Sequence, residues 1–171
     1  MHPPAPPIRG LHHFAWRCRD AEQTRAFYED LLGLPLAHVL YNPRVPSTGE
    51  ETPHLHIFFR MGDGSFLAFF DLGDGEGPLP SPNTPEWVTH IALEVPDEAA
   101  LRAAKARLEA AGHTVVGITD HHFIRSIYVF DPNGLRVELT TRTMAEAELA
   151  AHTADPHAKL AAWSAKKAAR G

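Results

Sequence analysis

Leu11-His12-His13-Phe14-Ala15-Trp16-Arg17-Cys18-Arg19-Asp20 returns later in the chain as Val88-Thr89-His90-Ile91-Ala92-Leu93-Glu94-Val95-Pro96-Asp97. Both stretches read histidine, apolar residue, alanine, then alternation, and both reach an aspartate seven places after the histidine. Alternation with a period of two is strand patterning, and an aspartate at the end of such a strand is suited to cap a following helix. Helical periodicity does follow each time. One helix is expected near Ala21 to Leu32, with Phe27 and Leu31 at i,i+4 and a stop at Gly33. The other is expected near Glu98 to Ala111, with Leu101, Ala104 and Leu108 on one face and a stop at Gly112.

Strand-like segments come after each helix, and each half closes on a hairpin. Gly62-Asp63-Gly64 leads into Phe66-Leu67-Ala68-Phe69-Phe70, and Pro132-Asn133-Gly134 leads into Arg136-Val137-Glu138-Leu139-Thr140. The order β-α-β-β-β therefore occurs twice, offset by 77 residues when His13 is matched to His90. The Pro/Gly-rich segment Asp74 to Pro85 is the linker. The fold class expected is α+β, with two βαβββ modules (about 8–73 and 86–142) in one domain spanning 8–142. A Pro-rich tail (1–7) precedes it and a helical extension (143–171) follows. Within that extension, Met144 to His152 and Lys159 to Arg170 read as helices, with Asp155-Pro156 opening the second.

Composition narrows the function. At 171 residues with 44% hydrophobic content, the chain can bury a core of its own. A formal charge of −5 without a basic block gives nucleic acid no electrostatic footprint. No apolar run is long enough to span a membrane, and the N-terminal prolines interrupt what would be a signal-peptide core. The single cysteine, Cys18, excludes an intrachain disulfide and suits a reducing compartment, so a cytoplasmic location is expected. Twelve histidines stand out; six of them fall in tight groups, His12-His13, His54/His56 and His121-His122, and His90 stands apart from these.

The second half ends on Thr119-Asp120-His121-His122-Phe123-Ile124-Arg125-Ser126-Ile127-Tyr128-Val129-Phe130-Asp131-Pro132-Asn133-Gly134-Leu135-Arg136-Val137-Glu138. A carboxylate in mid-strand, as Glu138 is, sits either on a solvated face or beside a cation. The duplicated module resembles the vicinal oxygen chelate superfamily, which includes glyoxalase I, methylmalonyl-CoA epimerase, fosfomycin-resistance enzymes, bleomycin-binding proteins and type I extradiol dioxygenases. That resemblance covers about residues 8–142. It implies two modules pairing their sheets into a curved half-barrel that holds a divalent metal.

By this resemblance the metal ligands are His13, His90 and Glu138. Each lies on the strand face opposite the large apolar residues, which is also where a merely solvated residue would be. Two imidazoles and one carboxylate with open coordination positions suit Fe(II); Mn(II), Zn(II) or Ni(II) accept the same donors. Ala68 occupies the repeat position of Glu138 and cannot ligate, which favours the dioxygenase branch over glyoxalase I. His121, Ile127-Tyr128, Asp131-Pro132, Gly134 and Glu138 resemble the type I extradiol pattern. It implies that His121 and Tyr128 are catalytic groups hydrogen-bonding substrate or dioxygen.

Ring-cleaving members also carry an acid/base histidine. Ser65 aligns near its position, with His54 and His56 on the preceding strand as substitutes. The activity so implied is an extradiol-type dioxygenase acting on a catechol-like or other vicinal-diol small molecule. Two other classes stay open. One is a glyoxalase-like lyase, isomerase or epimerase using Glu94 as base; the other is a metal-free antibiotic-binding module. A homodimer is expected, since superfamily members are often dimers.

Overall fold

The computed structural model describes residues 10–79, 83–145, 148 and 156–168. Its first module runs β1 (His13–Cys18), a helix, β2 (Leu36–Asn42), β3 (His54–Arg60) and β4 (Phe66–Asp71). Its second runs β5 (His90–Glu94), helix α2 (Glu98–Ala110), β6 (Val116–Asp120), β7 (Ile124–Phe130) and β8 (Arg136–Arg142). The strands form two mixed four-stranded sheets, β1-β4-β3-β2 and β5-β8-β7-β6. In each, the first strand runs parallel to the last, and the remaining neighbours are antiparallel. The architecture is α+β, two βαβββ modules with the curvature of a half-barrel, and no barrel closes.

Both expected helix caps form. Asp20 accepts from the Gln23 amide at 2.7 Å and Asp97 from the Ala100 amide at 2.8 Å. The first helix, α1, is α-helical over Ala21–Arg25 and continues as a π-helix over Ala26–Leu31. Its bond from Leu32 N to Phe27 O, at 3.1 Å, skips one residue more than an α-helix does. The wider turn brings the successive residues Phe27 and Tyr28 both inside, at 2% and 0% exposure. A helix α3 (Pro156–Ala168) covers the second helix expected in the extension. The helix read over 144–152 falls mostly, and the tail 1–7 wholly, outside the described residues. Among the described residues no helix is long and apolar enough to cross a membrane.

One apolar core serves both modules. Phe27, Tyr28, Phe59, Leu67 and Phe69 from the first join Leu101, Leu108, Ile127, Val137 and Leu139 from the second. Each sheet buries one face in this core and turns its other face away from it. Cys18 lies in the core too, where burial raises its thiol to about 11, so it stays protonated and unreactive at neutral pH.

A buried polar cluster bolts the modules together. Asp131 Oδ1 accepts from the amides of Asn133 (2.8 Å) and Leu135 (2.7 Å), which shapes the turn between β7 and β8. Its Oδ2 accepts from the Tyr28 hydroxyl of the first module at 3.0 Å and from Asn133 Nδ2 at 3.1 Å. Asn133 also receives the Arg19 amide at 2.9 Å and donates to Thr24 Oγ1 at 3.1 Å. Burial raises the Asp131 carboxyl above its usual range against these donors.

Asp131→Ala removes an acceptor and strands several buried donors, so it should cost about 3–4 kcal/mol in a urea titration. Tyr28→Phe removes only one donor and should cost about 1 kcal/mol. If the two variants proved equally stable, the cluster would not be what joins the modules.

Candidate functional site

The faces turned away from the core carry the candidate site residues. On the second sheet, His90 sits on β5 and Glu138 on β8, with Ala92 opposite Glu138 in the parallel register. His90 Nδ1 lies 3.1 Å from the Val88 carbonyl, which can only accept, so the proton on this ring is at Nδ1. Nε2 then points at Glu138 Oε2, 3.2 Å away. Two electron-pair donors facing one another at that distance call for a proton or a cation between them. A metal-ligating histidine needs this orientation, with Nδ1–H anchored on the backbone and Nε2 facing inward.

Glu138 is 4% exposed. Its Oε1 accepts from Ser126 Oγ at 2.5 Å, and Thr140 Oγ1 stands 3.0 Å behind that serine. β7 places Ser126 and Tyr128 on this same face, with Tyr128 directly opposite Glu138. Tyr128 Oη lies 2.7 Å from His121 Nε2. Burial, and then the nearby Glu138 charge, raise the Tyr128 phenol above its ordinary value, so it is held as a proton donor. His90, His121, Tyr128 and Glu138 line a cleft of about 470 Å³ together with Trp87, Phe123 and Arg136. The second module thus brings His90, Glu138, Tyr128 and His121 together.

His13 lies elsewhere. It sits on β1 of the first sheet, with its Nδ1 2.7 Å from Nδ1 of His12 and its ring 6.0 Å from that of His56. Among the described residues of one chain, no group of three or more His, Cys, Asp and Glu side chains forms a metal-holding set. The register nevertheless bears out the repeat alignment. Ala15 faces Ala68 just as Ala92 faces Glu138, so Ala68 occupies the carboxylate position of the first module.

Ser65 does not serve as the acid/base group. It belongs to the turn before β4, where its hydroxyl donates to Asp63 Oδ1 at 2.6 Å. His56 is the better placed of the alternatives, being stacked on Phe70 at 3.7 Å and next to Phe58 at 4.1 Å. It faces Phe70 on β4 as Ser126 faces Thr140 on β8, so it occupies the first-module counterpart of Ser126. With alanine at 68 there is no carboxylate for it to meet, and its buried Nε2 has no hydrogen-bond partner among the described residues. The repeat offset between these hairpins would have revealed this in the sequence. His54, by contrast, is tied through Nδ1 to the Thr52 carbonyl at 2.7 Å.

Burial, and then the neighbouring His13 and His54, lower His56 to about 4 from its ordinary 6.5. The unfolded chain therefore takes up this proton at a higher pH than the folded chain does. Stability should fall as the pH drops from 6.5 toward 4. In metal-free protein His56→Gln should flatten that limb of a urea-midpoint profile; an unchanged profile would show that other groups cause it.

A family model described as the Glyoxalase/Bleomycin resistance protein/Dioxygenase superfamily matches residues 10–139. Among solved structures, a glyoxalase/dioxygenase from Nostoc punctiforme is 24% identical with a TM-score of 0.62, over 84% of this chain and 99% of that one. Lactoylglutathione lyase from Agrobacterium tumefaciens is 23% identical with a TM-score of 0.55, over 80% and 96%. Fosfomycin resistance protein FosX from Listeria monocytogenes, solved with Mn(II) and sulfate, is 19% identical with a TM-score of 0.58, over 80% and 95%. At these identities the likeness is one of fold.

Proposed function

For a chain that belongs to the glyoxalase/bleomycin resistance protein/dioxygenase superfamily, we propose a metal-dependent enzyme of the extradiol type, acting with dioxygen on a vicinal-diol substrate. The observation that carries this reading is the His90–Glu138 contact, with its Nδ1-anchored imidazole, standing beside the Tyr128–His121 couple. The donor chemistry fits Fe(II) or a similar divalent ion such as the Mn(II) of the FosX structure. We further propose that His13 completes the ligand set from a second copy of the chain. The shared core leaves the two half-sites on faces turned away from it, and each half lacks what the other holds.

His90, Glu138 and the partner's His13 would hold the ion. When bound, the ion would supply Lewis-acid binding of the substrate's oxygens and, as Fe(II), redox chemistry with dioxygen. The remaining work belongs to the side chains. His56, neutral at neutral pH and with Nε2 buried, stands beside His13 in the first module's half-site. Tyr128 donates a hydrogen bond toward the oxygen on which charge develops, and His121 fixes the direction of its hydroxyl. Phe58 and Phe70 flank His56 with flat apolar surface suited to a ring. The isomerase alternative is less well supported, because Glu94, the base it would use, is exposed and ion-paired with Arg142 at 3.0 Å.

The test is anaerobic purification with metal analysis, then oxygen uptake on a panel of catechols. Stoichiometric iron or manganese with oxygen consumption is the result expected. Bound metal without oxygen uptake would move the function to a lyase or isomerase, and a protein that takes up no metal would be a binding module.

A further inference from the structure

The mechanism above leaves one charged residue of the cleft without a task. Arg136 stands two places before Glu138 on β8, so its side chain leaves the same face of the sheet. It lines the cleft that holds His90, Tyr128 and Glu138. Its guanidinium lies over the Tyr128 ring, 4.1 Å from the centroid, and its Nη1 donates to the Trp87 carbonyl at 2.9 Å. Those contacts fix the plane of the group and leave most of its N–H donors unused. Several other arginines are neutralised by carboxylates: Arg25 by Glu22, Glu29 and Asp30, Arg102 and Arg125 by Glu98, Arg142 by Glu94. Among the described residues no carboxylate stands within ion-pair reach of Arg136.

A planar cation held on two sides, unneutralised, in a half-buried cleft beside the candidate metal ligands is a built receptor for an oxyanion. The geometry points to Arg136 as the specificity residue for a carboxylate on the substrate, so that the molecule cleaved is a vicinal diol bearing an acid group. This rests on the proposed function for the diol and extends it by the acid. The fork matches a carboxylate through two parallel N–H···O bonds. Trp87 and Phe123, both exposed at the cleft mouth, give the carbon skeleton between acid and diol an apolar bed.

The test is calorimetric binding to the purified holoprotein, kept anaerobic, of catechol, 3,4-dihydroxybenzoate, benzoate and phenylphosphonate. Wild type should bind the dihydroxybenzoate about 10- to 100-fold more tightly than catechol, the range for a charge-assisted contact. Arg136→Met should erase that preference by weakening dihydroxybenzoate binding far more than catechol binding, while Arg136→Lys should keep part of it. Equal binding of the two diols by wild type would overturn the assignment. So would an Arg136→Met variant that loses both ligands alike, which would make Arg136 a support for Tyr128. Phenylphosphonate binding more tightly than benzoate would overturn the choice of carboxylate. Benzoate carries no diol: if its binding depends on Arg136 in a protein that consumes no oxygen, the acid site stands and only the dioxygenase reading falls.

Discussion

Glu138→Ala is expected to strip the protein of its metal while leaving the fold at least as stable as before. Removing a group that only orients a metal ligand typically costs about 10- to 100-fold in metal affinity, so removing a ligand itself should cost more than about 100-fold. Oxygen uptake should disappear with the metal. The stability half of the result follows from burial. Glu138 is 4% exposed and faces an imidazole lone pair, and among the described residues it is met by hydroxyls, Ser126 foremost, and by no arginine or lysine. A buried carboxylate so sparsely compensated costs desolvation energy, and deleting it relieves that cost. A structural carboxylate would behave in the opposite way, losing stability and leaving metal content alone. Metal analysis and urea denaturation on the same preparation separate the two. A variant that retains stoichiometric metal would falsify the assignment of Glu138 as a ligand.

The parts of this molecule legible in the sequence are those set by local periodicity. The two Ala-centred strands, the Asp20 and Asp97 caps and the glycine-bearing hairpins each follow from a few neighbouring residues. Agreement between two copies then made the β-α-β-β-β order readable. The placement of Ala68 at the carboxylate position was legible for the same reason, since both hairpins keep one register. What was not legible depends on contacts between distant segments. Nothing in the pattern around Phe27 and Tyr28 marks a π-turn; it becomes visible only when both rings must enter one core. The Asp-Pro-Asn-Gly turn reads as ordinary hairpin chemistry, yet its aspartate accepts a hydrogen bond from the hydroxyl of a tyrosine 103 residues away. Alternation shows that His13 and His90 lie on polar faces, but not whether those faces meet. That depends on which sides of the modules share the core, and Tyr28, Asp131 and Asn133 determine this.

That same arrangement yields the second large effect. If each site combines the first module of one copy with the second module of its partner, then His13→Ala and Glu138→Ala damage different halves. Each variant expressed alone should be inactive, because both sites of its symmetric dimer lack one ligand. In a mixed dimer the damage is distributed unevenly. The His13→Ala chain supplies an intact His90 and Glu138, its partner supplies an intact His13, and one complete site results, while the other site carries both defects. Random assortment makes half the dimers mixed, each with one good site of two, so coexpression should restore about a quarter of wild-type oxygen uptake and bound metal. Separately tagged chains, purified in two steps, would raise this to about half per dimer. A ligand set completed within a single chain predicts no recovery at any ratio, because every chain then carries a broken site. The exposed apolar residues Val39, Leu40 and Tyr41 on β2 and Val116 on β6 give a second copy surface to cover. Recovery of activity, and not dimerisation alone, decides the matter, since two copies could associate through those edges without sharing a metal.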